Sequence, residues 1–287
     1  MRLMLMLGVL LLSACTHVSA PPPVVGEIRD LHSGQSLTAQ ELIAALAKPS
    51  RLIVGEQHDN RDHHELQLWL LQSLGDRRPQ GSLLLEMLTP DQQPRVDEVR
   101  HAATPPTDLP GSLDWQSGWE WDLYGPIVRF SLTQPYPLLA ANLDVPEVRA
   151  IYTTPPTLSG SRSNASSVRD ELLKQVSDSH CGLLPASQMP AMLAVQQQRD
   201  RRMAERLLAA PEPSVLFAGA FHARKDVGVP IHLLDLGAPE APTVLMLAQQ
   251  GSEVTSQMAD YVWYTPDKPT PDYCEQMRKQ FGKPSKK

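Results

Sequence analysis

Short apolar runs alternate with longer segments of helical periodicity along most of this chain. Runs that are apolar throughout and end at a polar residue or a glycine predict buried strands, and apolar residues spaced three or four apart predict amphipathic helices. Predicted strands cover 51–56, 82–87, 137–141, 214–218, 231–236, 243–248 and 261–263, and predicted helices cover 62–74, 168–176 and 189–209. This alternation predicts an α/β fold with a mainly parallel sheet and flanking helices.

Local signals mark where further helices begin. Thr38 is followed three residues later by Glu41, which is the pattern of a capping box at the start of a helix. Thr89 and Pro90 are predicted to cap and begin another helix after the second strand. The Ser-, Gly- and Asn-rich stretch 157–167 has no period, which predicts a mobile insertion or linker inside the domain.

The first residues have the form of a bacterial secretion signal. A basic residue precedes an apolar run over 3–12, which is too short to span a bilayer. The Leu-Ser-Ala-Cys segment 12–15 resembles a lipobox, in which the cysteine thiol is acylated before cleavage. We expect 1–14 to be a signal peptide, Cys15 to carry the lipid, and 15–27 to form a proline-rich tether. The alternative is an ordinary cleaved signal with an incidental cysteine.

Composition fits one folded domain behind this leader. Removing 14 of the 287 residues leaves 273, enough for one large α/β domain, which we expect over 28–275 with a basic tail at 276–287. Hydrophobic residues make up 41% of the chain, so a sizeable core is available. A formal net charge of -6 argues against nucleic acid as a partner, because that role requires clustered Lys and Arg.

The cysteine count favours a disulfide. If Cys15 is lipidated, Cys181 and Cys274 are left as a pair in an oxidising compartment. A bond between them would close a long loop and tie the C-terminal segment to the middle of the chain. Two unpaired buried thiols are the alternative.

Polar residues stand at the carboxyl ends of the predicted strands. They are Glu56 and His58 after the first strand, Glu86 at the end of the second, Asn142 and Asp144 after the third, and Gly219 with His222 after the fourth. Ligands of open parallel sheets bind in the crevice outside these strand ends. Two GxxH segments, 55–58 and 219–222, together with a strand-end glutamate therefore predict a shared site, whereas hydrogen-bonded structural residues are the alternative for each one taken singly.

A cluster of aromatic residues is the second chemical signal. Trp115, Trp119, Trp121 and Tyr124 lie within ten positions of a chain that is only 5% aromatic. They either pin a surface segment to the core or form the wall of a pocket for a flat apolar ligand. The Tyr124 phenol adds a group able to bind ferric iron. No G-x-S-x-G, HExxH, P-loop or GxGxxG motif occurs in the sequence.

Seven segments carry a resemblance to a known family. They are LIVGEQHDN at 52–60, LLLEM at 83–87, AANL at 140–143, HCGLLP at 180–185, Gln-x-x-Arg-Asp-x-x-Met-Ala at 196–204, GAFHARKDVGVP at 219–230 and ADYVW at 259–263. The chain resembles the ChaN-like haem-uptake lipoproteins, which fall within the wider Tiki and erythromycin-esterase-like group. The resemblance spans about 28–275.

The resemblance implies a site as well as a fold. It implies an α/β protein whose dimer holds two haems face to face, with a tyrosine of one subunit on the iron and a histidine of the other on a propionate. Tyr124 is the expected iron ligand and Tyr152 the second choice, and Phe221 stands where many members have glycine. The residues expected to line the site are Glu56, His58, Glu86, Trp121, Asn142, His222 and Arg224.

We therefore expect a haem-binding lipoprotein that is involved in haem or iron uptake. It would hold ferric haem as a homodimer at the periplasmic face of the outer membrane, anchored through Cys15, and would work with an outer-membrane haem receptor system. Thr16 follows the lipidated cysteine where inner-membrane retention would call for aspartate. The alternative function is a hydrolase that uses the Glu and His residues, with or without a metal ion.

Overall fold

The computed structural model describes residues 20–269 and 272–281. Its strands are β1 (Glu27–Asp30), β2 (Ser36–Leu37), β3 (Arg51–Glu56), β4 (Ser82–Leu85), β5 (Leu138–Ala140), β6 (Ser214–Gly219), β7 (Thr243–Gln249) and β8 (Tyr261–Thr265). Its helices are α1 (Ala39–Leu46), α2 (Arg61–Gly75), α3 (Gln93–His101), α4 (Leu109–Ser112), α5 (Trp121–Leu132), α6 (Val145–Thr153), α7 (Ser166–Ser179), α8 (Met189–Ala209), α9 (Ala220–Ala223), α10 (Val229–Asp235) and α11 (Tyr273–Phe281).

A single mixed sheet forms the centre of the fold, in the order β2-β1-β8-β7-β3-β6-β4-β5. The six strands from β8 to β5 are parallel, while β1 pairs antiparallel with both β8 and β2. This confirms the predicted α/β class with a mainly parallel sheet. The register sets Glu56 opposite Gly219, so β3 and β6 end side by side at the same edge.

Both faces of the sheet are buried, which explains the unbroken apolar runs. Consecutive strand residues point to opposite faces. In β3, Leu52 and Val54 belong to the core layer that contains α2 and α5, whereas Ile53 belongs to the layer that contains α8 and α10. A strand that is covered on both sides has no solvent-exposed face, so its sequence is a continuous hydrophobic segment.

Several local predictions are confirmed. Thr38 caps α1 and forms the predicted capping box with Glu41, and Thr89 caps a short 3-10 turn that leads into α3. Helix α8 begins and ends at the predicted residues. Cys181 and Cys274 form a disulfide across a sequence separation of 93 residues. The predicted bond therefore ties the start of α11 to the loop after α7.

The predicted strand at 231–236 is wrong, because this segment lies in α10. Gly228 precedes the helix and Pro230 lies in its first turn, which are start signals for a helix. Val229, Pro230, Ile231, His232 and Leu233 are all buried. A short helix that is buried all round shows no polar face, so periodicity cannot separate it from a buried strand.

One point of the aperiodic stretch 157–167 is hydrogen-bonded to the folded domain. Its last residues already belong to α7, and the Asp235 carboxylate accepts hydrogen bonds from the backbone and hydroxyl of Ser163. Ser163 is fully buried. The segment is thus anchored at this point, because the carboxylate supplies the partners that the irregular backbone lacks.

The predicted signal peptide and the lipid site at Cys15 lie outside the described residues. Of the predicted tether, Ala20 contacts the domain, since its carbonyl accepts a hydrogen bond from Trp69 Nε1 at 2.8 Å. At the other end, α11 extends into the predicted tail. Among the described helices, none is both long and apolar enough to cross a membrane.

Candidate functional site

The carboxyl ends of the neighbouring strands β6, β3 and β7 form a crevice. A cavity of about 390 Å³ lies there, which we call the sheet-edge cavity. Glu56, His58, Gly219, His222 and Arg224 contribute to its wall, together with Gln196 and Phe221. Four of the strand-end residues that the sequence singled out therefore line one cavity, namely Glu56, His58, Gly219 and His222, whereas Asp144 caps helix α6.

The first polar cluster of the site is built around Glu56, which is buried at the end of β3. Its Oε1 atom accepts a hydrogen bond from His58 Nδ1 at 2.7 Å and another from the Tyr124 hydroxyl at 3.0 Å. On the other side, His64 Nε2 lies 3.6 Å from Glu56 Oε2. Three neighbouring side chains therefore face one buried carboxylate, as is expected where a charge is removed from water.

The pKa of His58 is raised by this cluster. Burial disfavours the imidazolium, but the hydrogen bond to Glu56 and the charges of Glu86 and Glu56 outweigh that effect and raise the pKa to about 9. His58 is thus a cation at neutral pH and forms a charge-assisted pair with Glu56. Its side chain is 41% exposed, so the cation also reaches solvent.

A second polar cluster joins the ends of β4 and β6 to helix α8. Glu86 Oε2 accepts a hydrogen bond from the Gly219 backbone at 2.7 Å, and its Oε1 lies 3.4 Å from His222 Nε2. The other ring nitrogen, Nδ1, donates to Asp200 Oδ1 at 2.6 Å. His222 is therefore held between two buried carboxylates.

Electrostatics assign the proton of this cluster to the imidazole. Burial opposes the charged form of His222, but Glu86 and Asp200 raise its pKa. Burial likewise opposes ionised Glu86, whose pKa is nonetheless lowered by His222, His58 and the Gly219 N–H. Burial dominates at Asp200 and raises its pKa. The protonated form of His222 has a carboxylate at each nitrogen and no free lone pair, so the raised pKa disfavours general-base chemistry at this ring.

The two clusters touch at Gly219. A Cβ atom at this position would lie 2.7 Å from His58 Nε2 and 2.9 Å from its Cε1. The His58 ring therefore packs directly on the Gly219 backbone, which only glycine allows. The glycine of the 219–222 segment thus contacts the histidine of the 55–58 segment.

Tyr124, the first choice for the iron ligand, lies buried beside Glu56. Its side chain is 1% exposed, and burial together with Glu56 raises the pKa of its phenol, so the phenolate is disfavoured. Its hydroxyl is also committed to Glu56. Tyr124 thus orients the Glu56 carboxylate, and its phenol is less accessible to a ligand than that of Tyr152, which is 38% exposed.

Tyr152 lies in a second cavity of about 290 Å³, which we call the helix cavity because α6, α7 and α8 contribute to its wall. The Tyr152 ring is 38% exposed, and Phe221, also in this wall, is 51% exposed. Phe221 and Gln196 line both cavities, so the two adjoin. The phenyl ring of Phe221 therefore stands at the boundary between them.

Three other predicted residues have mainly structural partners. Trp121 packs edge-to-face on Trp115 and under the Arg129 guanidinium, so it belongs to the aromatic cluster on the core. Asn142 is buried, and its amide donates to the Glu86 carbonyl. Arg224 lines the sheet-edge cavity but is already paired with Glu171 and Asp226.

Sequence reasoning missed the contribution of helix α8. Gln196 and Asp200 are four residues apart and therefore share one helical face, and both approach His222. Arg199, beside Asp200, lines the helix cavity. The signal was the polar pattern at 196–204 inside an otherwise amphipathic helix, because buried polar side chains need partners. Within the described ranges, no three His, Cys, Asp or Glu side chains are grouped as metal ligands would be.

Fold and site together define an α/β protein with paired carboxylate–histidine clusters at the carboxyl edge of its sheet and an exposed aromatic rim beside them. Residues 42–233 match the family described as haem-binding uptake, Tiki superfamily, ChaN. The match covers more than half of the chain, so the chain belongs to this family.

Solved structures give the same result for the fold. A structure of Campylobacter jejuni ChaN with cofacially bound haem is 26% identical, covers 84% of this chain and 97% of its own, and superposes with a TM-score of 0.78. A mutant of the erythromycin esterase EreC, in its open conformation, is 12% identical with a TM-score of 0.46, and covers 89% of this chain and 86% of its own. That second likeness is too distant to inform function. No curated protein sequence matches the chain.

Proposed function

We propose that this protein binds ferric haem on the rim between the two cavities, where Phe221 and Tyr152 are exposed. We further propose that it serves haem uptake as a lipid-anchored envelope protein. The observation that carries the proposal is the pairing of two exposed aromatic side chains, Phe221 and Tyr152, in one cavity of a ChaN-family fold. Exposed aromatic groups that share a cavity are typical of ligand sites.

The residues present fit the chemistry of haem. Haem is a flat apolar disc with two carboxylates, so it needs apolar contact area and cations at the edge. Val148, Met192 and Phe221 supply apolar wall in the helix cavity, and Arg199 and His180 lie in the same wall. The adjoining sheet-edge cavity adds room on the other side of Phe221.

Tyr152 is the group we assign to the iron. A phenolate is an anionic oxygen ligand that stabilises the ferric state, as in other tyrosine-bound haem proteins. Tyr152 is partly exposed, whereas Tyr124 is buried and its hydroxyl donates a hydrogen bond to Glu56. The exposed phenol of Tyr152 could release its proton to water and hold the iron as phenolate without the loss of a buried hydrogen bond.

Phe221 and Tyr152 present an exposed apolar face beside the proposed haem site. A second copy of the chain would cover that face, which supports the homodimer as the haem-bound state. Lipidation at Cys15 would hold the dimer at the periplasmic face of the outer membrane, where a haem receptor delivers its cargo. The signal-like segment 3–12 and the lipobox support this placement.

Haem binding is tested by titrating the ligand-free protein with hemin and following the Soret band. We expect a saturable complex with the charge-transfer bands of a ferric phenolate. Tyr152→Phe should lose those bands, whereas Tyr261→Phe, a matched change on β8, should keep them. Absence of a saturable complex in the wild type would refute the proposal, and an unchanged spectrum in Tyr152→Phe would refute the ligand assignment alone.

The anchor and the dimer are tested separately. Full-length protein should incorporate labelled palmitate and fractionate with outer membranes, and Cys15→Ser should abolish the incorporation. Sedimentation of the chain without its leader, with and without hemin, should show a monomer converting to a dimer. Incorporation that persists in Cys15→Ser, or a haem complex that sediments as a monomer, would contradict these parts of the proposal.

The hydrolase alternative receives less support from the geometry. His222 is the histidine best oriented for catalysis, since Asp200 fixes its Nδ1. Glu86 occupies the other side of the ring, and the two carboxylates raise the pKa of the imidazole and so favour its protonated form. A general base needs a free nitrogen at the working pH.

A further inference from the structure

One buried amide in the wall of the helix cavity lacks hydrogen-bond partners. Gln175, on α7, is 7% exposed, and within the described structure neither its Oε1 nor its Nε2 atom has a partner. Buried polar groups of native proteins are almost always paired, and an unpaired one requires an explanation. A ligand that enters this cavity would supply the missing partner.

Arg199 lies in the same wall and is also unsatisfied. Its Nε atom is buried without a partner, and its guanidinium forms no hydrogen bond or ion pair with any residue of the described ranges. Two nearby arginines do form ion pairs: Arg224 pairs with Glu171 and Asp226, and Arg202 pairs with Glu147. Arg199 is therefore a cation that the protein itself does not pair.

The neighbouring carboxylates are already engaged. Asp200 and Glu86 both face His222, and Glu86 also accepts the Gly219 N–H. Arg199 acts on Glu86 through its charge, lowering the pKa of that carboxyl, without contacting it. The positive charge thus stays available at the cavity wall for a ligand.

We propose that Arg199 and Gln175 form a carboxylate-binding subsite in the helix cavity. A guanidinium donates parallel N–H groups to a carboxylate, and a primary amide adds one more donor. Tyr152 and Phe221 share this cavity, so the carboxylate belongs to a ligand that is also flat and apolar. This inference rests on the proposed haem function and assigns the subsite to one haem propionate.

A propionate subsite makes binding depend on the free acid groups of the porphyrin. Hemin dimethyl ester has the same ring and iron, but its esters carry no charge. The wild type should therefore bind hemin at least tenfold more tightly than the ester. Phe221 and the iron ligand would contact the ring and the iron, which are the same in both porphyrins. The ratio of the hemin affinity to the ester affinity therefore measures the contribution of the subsite alone.

The test is a Soret titration of both porphyrins in the same co-solvent with three variants. Arg199→Gln should weaken hemin binding about tenfold and leave ester binding unchanged, and Arg199→Lys should recover part of the loss. Arg201→Gln is the matched control on the same helix, because Arg201 pairs with Glu205 and Ser159. Its hemin affinity should equal that of the wild type.

Gln175→Met gives a second readout that does not depend on haem. Replacing an unpaired buried amide with an apolar side chain of similar volume should raise the Tm of the ligand-free protein, while hemin affinity falls. A merely structural Gln175 would lower the Tm instead. Together these opposite changes identify a residue kept for binding rather than for stability.

The outcomes separate the subsite from the function on which it rests. If the wild type binds both porphyrins with equal affinity, or if Arg199→Gln weakens both equally, the subsite is refuted and haem binding stands. If neither porphyrin forms a saturable complex, the haem proposal fails and the subsite fails with it. Selective loss of hemin affinity in Arg199→Gln supports both.

Discussion

Replacing His222 tests the central electrostatic feature of the site. The imidazole lies between Glu86 and Asp200, all three side chains are buried, and Nδ1 donates to Asp200 at 2.6 Å. His222→Gln keeps a polar side chain of similar reach but removes the positive charge. Two buried carboxylates then lose the cation that they share.

The expected cost is large. Removing one partner from a buried ion pair destabilises proteins by about 3–5 kcal/mol, because an uncompensated charge stays buried. A typical domain has only about 5–15 kcal/mol of stability in total. His222→Gln should therefore bring the protein close to its unfolding threshold.

The pH dependence follows from the directions of the pKa shifts. In the wild type the folded pKa of Glu86 lies below 4.5 and that of His222 above 6.5, so neither group reduces stability between these values. The His222 contribution is complete below pH 6.5 and is lost as pH rises through its folded pKa. In His222→Gln, burial raises the pKa of Glu86, so the variant loses stability as pH rises above 4.5. The difference between the two proteins should widen from pH 4.5 to 6.5.

Urea unfolding monitored by circular dichroism measures these differences. His32→Gln is the matched control, since His32 pairs with Asp260 but its side chain is 60% exposed, and we expect a change within about 0.5 kcal/mol. The double variant Glu86→Gln/His222→Gln should be less destabilised than the sum of its parts. If His222→Gln costs no more than His32→Gln, the imidazole does not compensate buried charge and the reasoning is refuted.

Three further predictions follow from the same geometry. Replacing Cys181 and Cys274 with serine should lower the free energy of unfolding by up to about 4–5 kcal/mol, the chain-entropy value for a loop of this length; denaturation with and without reductant tests this, and equal midpoints would contradict it. Gly219→Ala should push the His58 ring off Glu56 and lower its pKa from about 9 towards 6.5, as followed by NMR titration, and an unshifted pKa would disprove the packing contact. Burial lowers the pKa of His63 to about 3, so the folded protein keeps this side chain neutral while the unfolded chain protonates it below pH 6.5. The wild type should therefore lose stability as pH falls below 6.5, and His63→Gln should lose less over the same range, as measured by urea unfolding.

Much of the fold was predictable from the sequence because its signals are local. A strand buried on both faces must be apolar throughout, so the run at 51–56 identified β3. Thr38 with Glu41 marked the start of α1, because orphan N–H groups of a first turn need nearby acceptors. The α10 segment was assigned to the wrong element, since short buried helices lack the polar face on which periodicity depends.

The sequence by itself determined which chemical groups are present: a leader-like segment followed by a lipobox-like cysteine, polar groups at strand ends, two GxxH segments and an aromatic cluster. Only the tertiary structure decided how these groups pair. It placed Asp200 against His222, buried Tyr124 on Glu56 and left Tyr152 accessible. Burial and partners depend on contacts between residues far apart in the chain, and no local pattern encodes which of two tyrosines those contacts will cover.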